Sequence, residues 1–243
     1  MSPDRVFTTP KHDTRSTSSS AGLRAPGLLA RWPLIGIAMF LIGSLAFGVL
    51  AFNVKTHGPL LQWDVSLYKQ MHADAVKEPP RIIELLTFGF FVGKELLQVV
   101  VVILSLYFLY KRYWPELAMI LIGAGGGALI WSYLIGIFNR PRPTGQVGIV
   151  VTDPSFPSGH TISAVLCYGF LAYLLVPKMP SLFWKWVVVI LSVLTMAYIG
   201  YSRIFEGGHY LTDILAGYAV GLAWAGLVYT VIESLFLRRR ASR

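Results

Sequence analysis

Six long apolar runs constrain the fold of this 243-residue chain more than any other feature of its sequence. Most of them are long enough to cross the hydrocarbon core of a bilayer as a helix. Hydrophobic residues make up 55% of the chain and charged residues only 14%, whereas soluble domains carry roughly 25% charged residues. We therefore predict an all-α, polytopic membrane bundle with six transmembrane helices. The predicted spans are residues 33–52, 82–110, 114–138, 161–176, 183–201 and 211–237.

The segments before and after the first run are polar. Residues 1–31 are rich in Ser, Thr, Pro and Arg, which predicts a disordered basic cytoplasmic tail ahead of a membrane domain at 32–243. A signal peptide is the alternative, but the following run is long enough to span and no small-residue cleavage site follows it. Residues 53–81 are amphipathic and are expected on the outer membrane surface. Lys94 and Glu95 are expected near the outer interface, with the second span proper after them.

The net charge of +9 indicates orientation in a membrane, not binding to nucleic acid. The basic residues cluster beside the apolar runs, and six spans place both termini on one side. Most of the 21 Lys and Arg residues fall on that side, so the positive-inside rule predicts cytoplasmic termini in the inner or plasma membrane. The loops at 139–160 and 202–213 then face outward. The single cysteine, Cys167, excludes an intramolecular disulfide.

The third run contains GAGGGA, Gly123 to Ala128. A glycine-rich phosphate loop is one interpretation, but these residues lie deep in an apolar segment and no lysine follows them. Small residues at that depth are typical of close helix–helix packing, which we predict here.

The loops at 139–160 and 202–213 each carry several ionisable side chains between long apolar runs, and ionisable groups at membrane depth are costly unless they have a function. Arginine forks match phosphate oxygens and stay charged. Residues 157–159, just before a helix, offer free backbone N–H groups to an anion. One histidine can attack phosphorus while another protonates the leaving oxygen. The constellation therefore predicts phosphoryl transfer; its members are His160, His209, Asp213, Arg140, Arg142, Arg203, Ser158 and Gly159.

The same loops resemble the signature of the type-2 phosphatidic acid phosphatase superfamily, the integral-membrane lipid phosphate phosphatases. That signature is Lys, six residues, Arg-Pro; then Pro-Ser-Gly-His; then Ser-Arg, five residues, His, three residues, Asp. The second and third parts are matched by Pro157–His160 and by Ser202, Arg203, His209 and Asp213. The first part is matched only by Arg142-Pro143, because Ile135 stands where the family has lysine.

The resemblance implies a role for each matched residue. His209 would be the nucleophile that forms a phosphohistidine, and Asp213 would hold its ring in the correct tautomer. His160 would protonate the leaving group and then activate water. No metal or other cofactor is implied, and the sequence offers no Asp-rich cluster to hold one. The expected phosphate-binding residues are Arg142, Arg203, Ser158 and Gly159.

Ile135 removes one expected phosphate contact. Arg140, which we also expect to bind phosphate, and Lys94 are the candidate replacements. The leading prediction is a hydrolase acting on a lipid phosphate or diphosphate: a polyprenyl diphosphate, phosphatidic acid or phosphatidylglycerol phosphate. The alternatives are a lipid phosphotransferase and a non-catalytic lipid-binding or transport homologue. Purely structural histidines, or a metal site made by His160, His209 and Asp213, are the other interpretations, and the nearby arginines would repel a cation.

Overall fold

Helices account for the regular structure of this protein. A computed structural model describes residues 33–75, 77–93, 95–147 and 150–241, and within these ranges it contains no strand. A single 3₁₀ turn, Val176–Lys178, follows the sixth helix. The helices, in chain order, are α1 (Pro33–Thr56), α2 (Leu60–Ala75), α3 (Pro80–Gly93), α4 (Glu95–Tyr110), α5 (Trp114–Phe138), α6 (Gly159–Leu175), α7 (Leu182–Phe205) and α8 (Leu211–Ala241).

Six helical segments within the described residues are long and apolar enough to cross a membrane: α1, α3 with α4, α5, α6, α7 and α8. The prediction of an all-α integral membrane protein with six spans is thereby confirmed. Helices satisfy their own backbone hydrogen bonds, which lipid requires. The predicted tail at 1–31 and the side chain of Lys94 lie outside the described residues.

The second candidate span, Arg81–Tyr110, agrees with the predicted span at 82–110 and includes both α3 and α4. Helix α3 packs within the bundle against α7. A methyl group on Gly89 would lie 2.3 Å from Oγ of Ser202, and one on Gly93 would lie 2.8 Å from Ile199. The expectation that the span proper follows Glu95 stays a prediction. The preceding apolar turns also bury a face, and they bring Gly93 toward the candidate site.

Helix α8 is the most buried of the six spans and packs against α1, α5 and α6. Its contact with α1 is the most extensive between any two described helices. A Cβ on Gly43 would lie 2.6 Å from the carbonyl oxygen of Ala219, and one on Gly226 would lie 2.6 Å from that of Gly36. Small residues let the two backbones approach this closely.

The glycine run of α5 packs as predicted at two positions. A Cβ on Gly126 would lie 2.4 Å from the indole of Trp224, and one on Gly127 would lie 2.3 Å from Leu166. Gly123 and Gly125 face open space. The run therefore fits α5 against α6 and α8.

Helix α2 lies over the end of the bundle where residues 139–158 and 206–210 emerge. Its polar residues Asp64 and Tyr68 are buried, whereas Trp63 on the other side is 76% exposed. The other polar residues of this helix are mostly exposed, so α2 is amphipathic, as predicted for 53–81, and turns only a few polar side chains toward the protein.

Candidate active site

Two polar connections meet at one end of the bundle. The α5–α6 connection supplies Arg142, the first turn of α6 supplies His160, and the α7–α8 connection supplies His209. The two histidine rings lie with their centroids 6.4 Å apart. Both line a cavity of about 150 Å³, together with Arg142 and Asp153. Residues far apart in sequence are thus brought to one concave site.

The ring of His209 is buried and is oriented through its Nδ1 atom. Nδ1 lies 2.9 Å from the carbonyl oxygen of Ser155 and 3.5 Å from Oδ2 of Asp213. Because a carbonyl oxygen only accepts hydrogen bonds, the proton of the neutral ring is on Nδ1. The lone pair is therefore on Nε2.

The Nε2 atom of His209 faces polar groups on the cavity side of the ring. It lies 3.0 Å from Nη1 of Arg142 and 3.4 Å from Oγ of Ser158. An unprotonated ring nitrogen beside a guanidinium is suited to meet an electrophile that carries anionic oxygens.

Burial keeps His209 uncharged near neutral pH. The pKa of the ring is lowered from 6.5 to about 4: desolvation is the main cause, the charges of Arg142 and Arg203 act in the same direction, and Asp213 opposes them. The imidazole therefore retains its lone pair at physiological pH, as a nucleophile or a base requires.

Arg142 joins the two connections. Its Nε donates to the carbonyl oxygen of Asp153 over 2.7 Å, and its Nη1 donates to that of Gly208 over 2.6 Å. Burial lowers the pKa of the guanidinium, which the carboxylate of Asp153 opposes. Arg142 is thus held by backbone oxygens at the position where it also reaches His209.

Asp213 reaches His209 from the first turn of α8. The helix begins at Leu211, so His209 lies in the turn before it. The Oδ2 of Asp213 accepts the N–H of Tyr210 over 2.9 Å, and Oδ1 accepts Nη1 of Arg140 over 2.6 Å. Both oxygens are thereby fixed, with Oδ2 turned toward the imidazole.

Arg140 does not reach the cavity that the histidines line. Its Nη2 donates to Asp64 over 2.9 Å, and Nη1 donates to both Asp213 and Thr212. The guanidinium also stacks on the ring of Tyr210, 4.2 Å from its centroid. The carboxylates of Asp64 and Asp213 both accept hydrogen bonds from this guanidinium. Its contacts therefore do not support the expected role in binding phosphate or in replacing the missing lysine.

Arg203 and Glu206 form a buried ion pair near the end of α7. Nη1 of Arg203 donates to Oε2 of Glu206, while its Nε and Nη2 make no hydrogen bond to the described residues. The guanidinium lies 4.8 Å from the ring centroid of Phe90. Burial raises the pKa of Glu206 to about 7 against the effect of Arg203. Arg203 is fully buried and is not one of the residues that line the cavity, so its expected role in binding phosphate stays a prediction.

The start of α6 differs in one respect from the expectation. The N–H of Ser158 donates to the carbonyl oxygen of Asp213 over 3.0 Å, so this amide is not the free anion donor that was expected. A Cβ on Gly159 would lie 2.9 Å from the indole of Trp131. The glycine is thus required by the packing of α5 on α6.

Ile135 is half-buried on α5 and is not one of the residues that line the cavity. Trp131, one turn earlier on the same helix, does line it. The position that carries lysine in the family signature therefore lies one turn along α5 from the cavity wall.

Sequence reasoning missed several residues of this site. Asp64 follows an exposed tryptophan in an amphipathic segment, and no motif marks it. Ser155 contributes only a backbone oxygen, which no side-chain pattern reveals. Phe90 lies against both His160 and Arg203, with its ring centroid 4.7 Å from that of His160.

The bundle and its site define a class of polytopic membrane proteins in which two connections bring histidine and arginine side chains together at one end of the helices. The model of the PAP2 superfamily matches residues 91–236, more than half of the chain. This chain belongs to the PAP2 superfamily, as the resemblance of its motifs predicted.

Known relatives and a solved structure resemble this chain. Phosphatidylglycerophosphatase B of Bacillus subtilis is 34% identical over 128 residues, which are 52% of this chain and 63% of that protein. An undecaprenyl-diphosphatase of Sulfolobus acidocaldarius is 34% identical over 98 residues, 40% of this chain and 42% of the relative. The matches thus span less than two thirds of either relative. The crystal structure of a transmembrane PAP2-type phosphatidylglycerolphosphate phosphatase from Bacillus subtilis superposes with a TM-score of 0.66 at 25% identity, covering 84% of this chain and 96% of the other.

Proposed function

We propose that this protein is a membrane-bound phosphatase that hydrolyses a lipid phosphomonoester or diphosphate through a phosphohistidine on His209. The observation that carries the proposal is the arrangement of that imidazole. Its Nδ1–H is held by the carbonyl oxygen of Ser155, and its Nε2 lies 3.0 Å from the guanidinium of Arg142 in a cavity shared with His160. The two similar relatives, by name a phosphatidylglycerophosphatase and an undecaprenyl-diphosphatase, support a lipid phosphate or diphosphate as substrate.

In the first step, the lone pair on Nε2 of His209 forms a bond to phosphorus as the bond between phosphorus and the leaving oxygen breaks. His160 gives its proton to that oxygen, which departs as the lipid alcohol or as a lipid monophosphate. The ring of His209 becomes positively charged, and the carboxylate of Asp213, 3.5 Å from Nδ1, stabilises that charge.

In the second step, His160 accepts a proton from water as the water oxygen attacks phosphorus. The bond between phosphorus and Nε2 breaks, and its electron pair returns to the ring of His209. Inorganic phosphate is released, and both histidines regain their starting protonation states. The residues taken to bind the phosphoryl oxygens are Arg142, Arg203, Ser158 and Gly159.

The substrate tail stays in the bilayer in this proposal, and only the headgroup enters the cavity. Phe90 and Trp131 line the cavity beside the polar groups, which suits a ligand that carries both apolar and anionic parts. The distribution of basic residues supports a site on the outer side of the membrane, with the termini in the cytoplasm. The candidate substrates are a polyprenyl diphosphate, phosphatidic acid and phosphatidylglycerol phosphate.

Release of inorganic phosphate from these three lipids in detergent tests the proposal. Wild type is compared with His209→Ala and with His57→Asn as a matched histidine control. His57 is exposed, and asparagine tolerates its positive φ of 54°. We expect wild type and His57→Asn to release phosphate from at least one lipid, and His209→Ala to release none. The same assay with EDTA tests the expectation that no metal is needed.

The possible results separate the alternatives. Phosphate release that survives in His209→Ala would contradict the phosphohistidine mechanism. Transfer of phosphate to an added alcohol in preference to water would identify a phosphotransferase. Saturable binding of a lipid phosphate without turnover would support the non-catalytic homologue that Ile135 keeps open.

A further inference from the structure

A buried carboxylate on α2 lies outside the residues that the family model matches. Asp64 is 2% exposed, although α2 carries no residue of the predicted site. A carboxylate in such a place is costly unless charged and hydrogen-bonding groups surround it. The partners of Asp64 therefore indicate what it does.

Asp64 contacts both polar connections of the candidate site. Its Oδ1 accepts the N–H of Thr212 over 3.0 Å. Its Oδ2 accepts the hydroxyl of Thr212 over 2.5 Å and Nη2 of Arg140 over 2.9 Å. Arg140 belongs to the first connection, and Thr212 directly precedes Asp213, so one side chain of α2 holds the two together.

These contacts continue to the imidazole. The other terminal nitrogen of Arg140, Nη1, lies 2.6 Å from Oδ1 of Asp213, and Oδ2 of Asp213 lies 3.5 Å from Nδ1 of His209. Asp64, Arg140 and Asp213 together carry one net negative charge. Without the charge of Asp64, the positive charge of Arg140 would fully offset the carboxylate that faces His209.

We propose that Asp64 is a positioning residue for His209: by holding Arg140 through its second terminal nitrogen, it keeps Asp213 in place and leaves a net negative charge beside Nδ1 of the ring. This inference rests on the proposed function, and it extends the site to a helix that the motifs do not include. Asp64 does not line the cavity, so it acts through Arg140 and Asp213 and not on the substrate.

The inference predicts a specific kinetic effect. Formation of a phosphohistidine places positive charge on the ring of His209, which the net negative charge of the cluster stabilises in the transition state. Removing the charge of Asp64 should lower kcat by on the order of 10- to 100-fold, the loss typical of the outer hydrogen-bond partners that orient metal-bound histidines, because Asp64 orients His209 in a comparable way. KM should change far less, because Asp64 has no contact in the cavity.

Asp64→Asn tests this, with Asp74→Asn as the control. Asparagine keeps the size of Asp64 and one acceptor for Thr212 but removes the charge. Asp74 is exposed on the same helix and undergoes the same chemical change. Both variants and wild type are assayed for kcat and KM on a lipid phosphate, and Tyr68→Phe is included because it removes the contact of α2 with Thr144 without changing charge.

Nitrogen-15 NMR of the histidine side chains gives a second readout that does not depend on turnover. The His209 signal is assigned by its loss in His209→Asn. The charged groups facing this ring are Asp213 of α8, Arg142 of the α5–α6 connection and Arg203 of α7, with His160 of α6 across the cavity. We expect the pKa of His209 to fall in Asp64→Asn and to stay at the wild-type value in Asp74→Asn.

Several results would overturn the inference. The inference fails if Asp64→Asn and Asp74→Asn have the same kcat and the same pKa of His209. If Asp64→Asn fails to fold, α2 only braces the connections. The same conclusion follows if Asp64→Asn and Tyr68→Phe lose kcat and thermal stability equally. If wild type releases no phosphate from any lipid, the proposed function fails, while the titration of His209 still decides the role of Asp64.

Discussion

The Nδ1–H group of His209 donates to the backbone carbonyl oxygen of Ser155 over 2.9 Å. The family resemblance assigns the orientation of this ring to Asp213, whose Oδ2 is farther away at 3.5 Å. A carbonyl oxygen does not titrate, so it holds the Nδ1–H tautomer at any pH at which the ring is neutral. Ser155 thus fixes the tautomer of His209, and Asp213 supplies negative charge beside the ring, whereas the resemblance assigned the orientation of the ring to Asp213 alone.

The pH dependence of phosphate release should reflect the buried state of His209. Its pKa is lowered to about 4, so the ring stays neutral through the range where a solvated histidine would be protonated. We expect the acid limb of kcat/KM to lie near pH 4 and not near 6.5, measured with a soluble short-chain lipid phosphate at constant ionic strength. An acid limb of kcat/KM near pH 6.5 would contradict this expectation.

The lowered pKa of His209 should also make the stability of the protein depend on pH. Between pH 4 and 6.5 the unfolded chain binds a proton at His209 that the folded chain does not. His209 therefore does not reduce the free energy of unfolding above pH 6.5. It reduces that free energy progressively as the pH falls from 6.5 toward 4. Thermal unfolding in detergent should be less sensitive to pH over this range in His209→Asn than in wild type.

Arg142→Lys should lower turnover although it preserves the charge. The guanidinium of Arg142 simultaneously reaches the carbonyl oxygens of Asp153 and Gly208 and the ring of His209. A single ammonium cannot reproduce this fork. We expect kcat to fall by about 10²–10³-fold, as for the loss of one transition-state donor. Arg81→Lys, on an exposed position of α3, is the control, and equal turnover of the two variants would contradict the assigned role.

Glu206→Gln should reduce the dependence of stability on pH between 4.5 and about 7. Burial raises the pKa of Glu206 from 4.5 to about 7, so between these values the folded chain holds a proton that the unfolded chain has lost. Stability therefore falls as the pH rises through this window, by about 3 kcal/mol at ~1.4 kcal/mol per pKa unit. Glutamine cannot ionise, so the difference in Tm between pH 5 and 8 should be smaller in this variant. An unchanged difference would show that Glu206 titrates normally.

Ile135→Lys should raise turnover. Ile135 lies one turn from the cavity-lining Trp131 on α5, and residues four apart share a helix face. A long lysine side chain at this position can extend along that face toward the cavity. The increase should not exceed about 10²-fold, the lower end of what one transition-state donor contributes. Ile135→Met is the uncharged control; if lysine and methionine have the same effect, the pocket does not lack a donor at this position.

The membrane bundle could be predicted from the sequence because the physics is local. Long apolar runs must be helical in lipid, and each run carries this signal by itself. The spacing of His209 and Asp213, and the motif at Pro157–His160, likewise lie within short segments. One helix start differs from the prediction: α6 begins at Gly159, two residues before the predicted start.

Other features were decided only by tertiary structure, because they depend on residues far apart in sequence. Arg140 looks like a phosphate ligand when read beside Arg142, yet it pairs with Asp64, 76 residues away. Asp64 bonds to Thr212 across 148 residues.

The sequence by itself determined six membrane helices and the chemical groups that two of their connections carry. The tertiary structure decided which of those groups face the cavity, because a buried carboxylate on α2 draws Arg140 away from it. It also decided the tautomer of His209, which depends on a backbone carbonyl oxygen. Every residue has such an oxygen, so the sequence does not indicate which one contacts the ring.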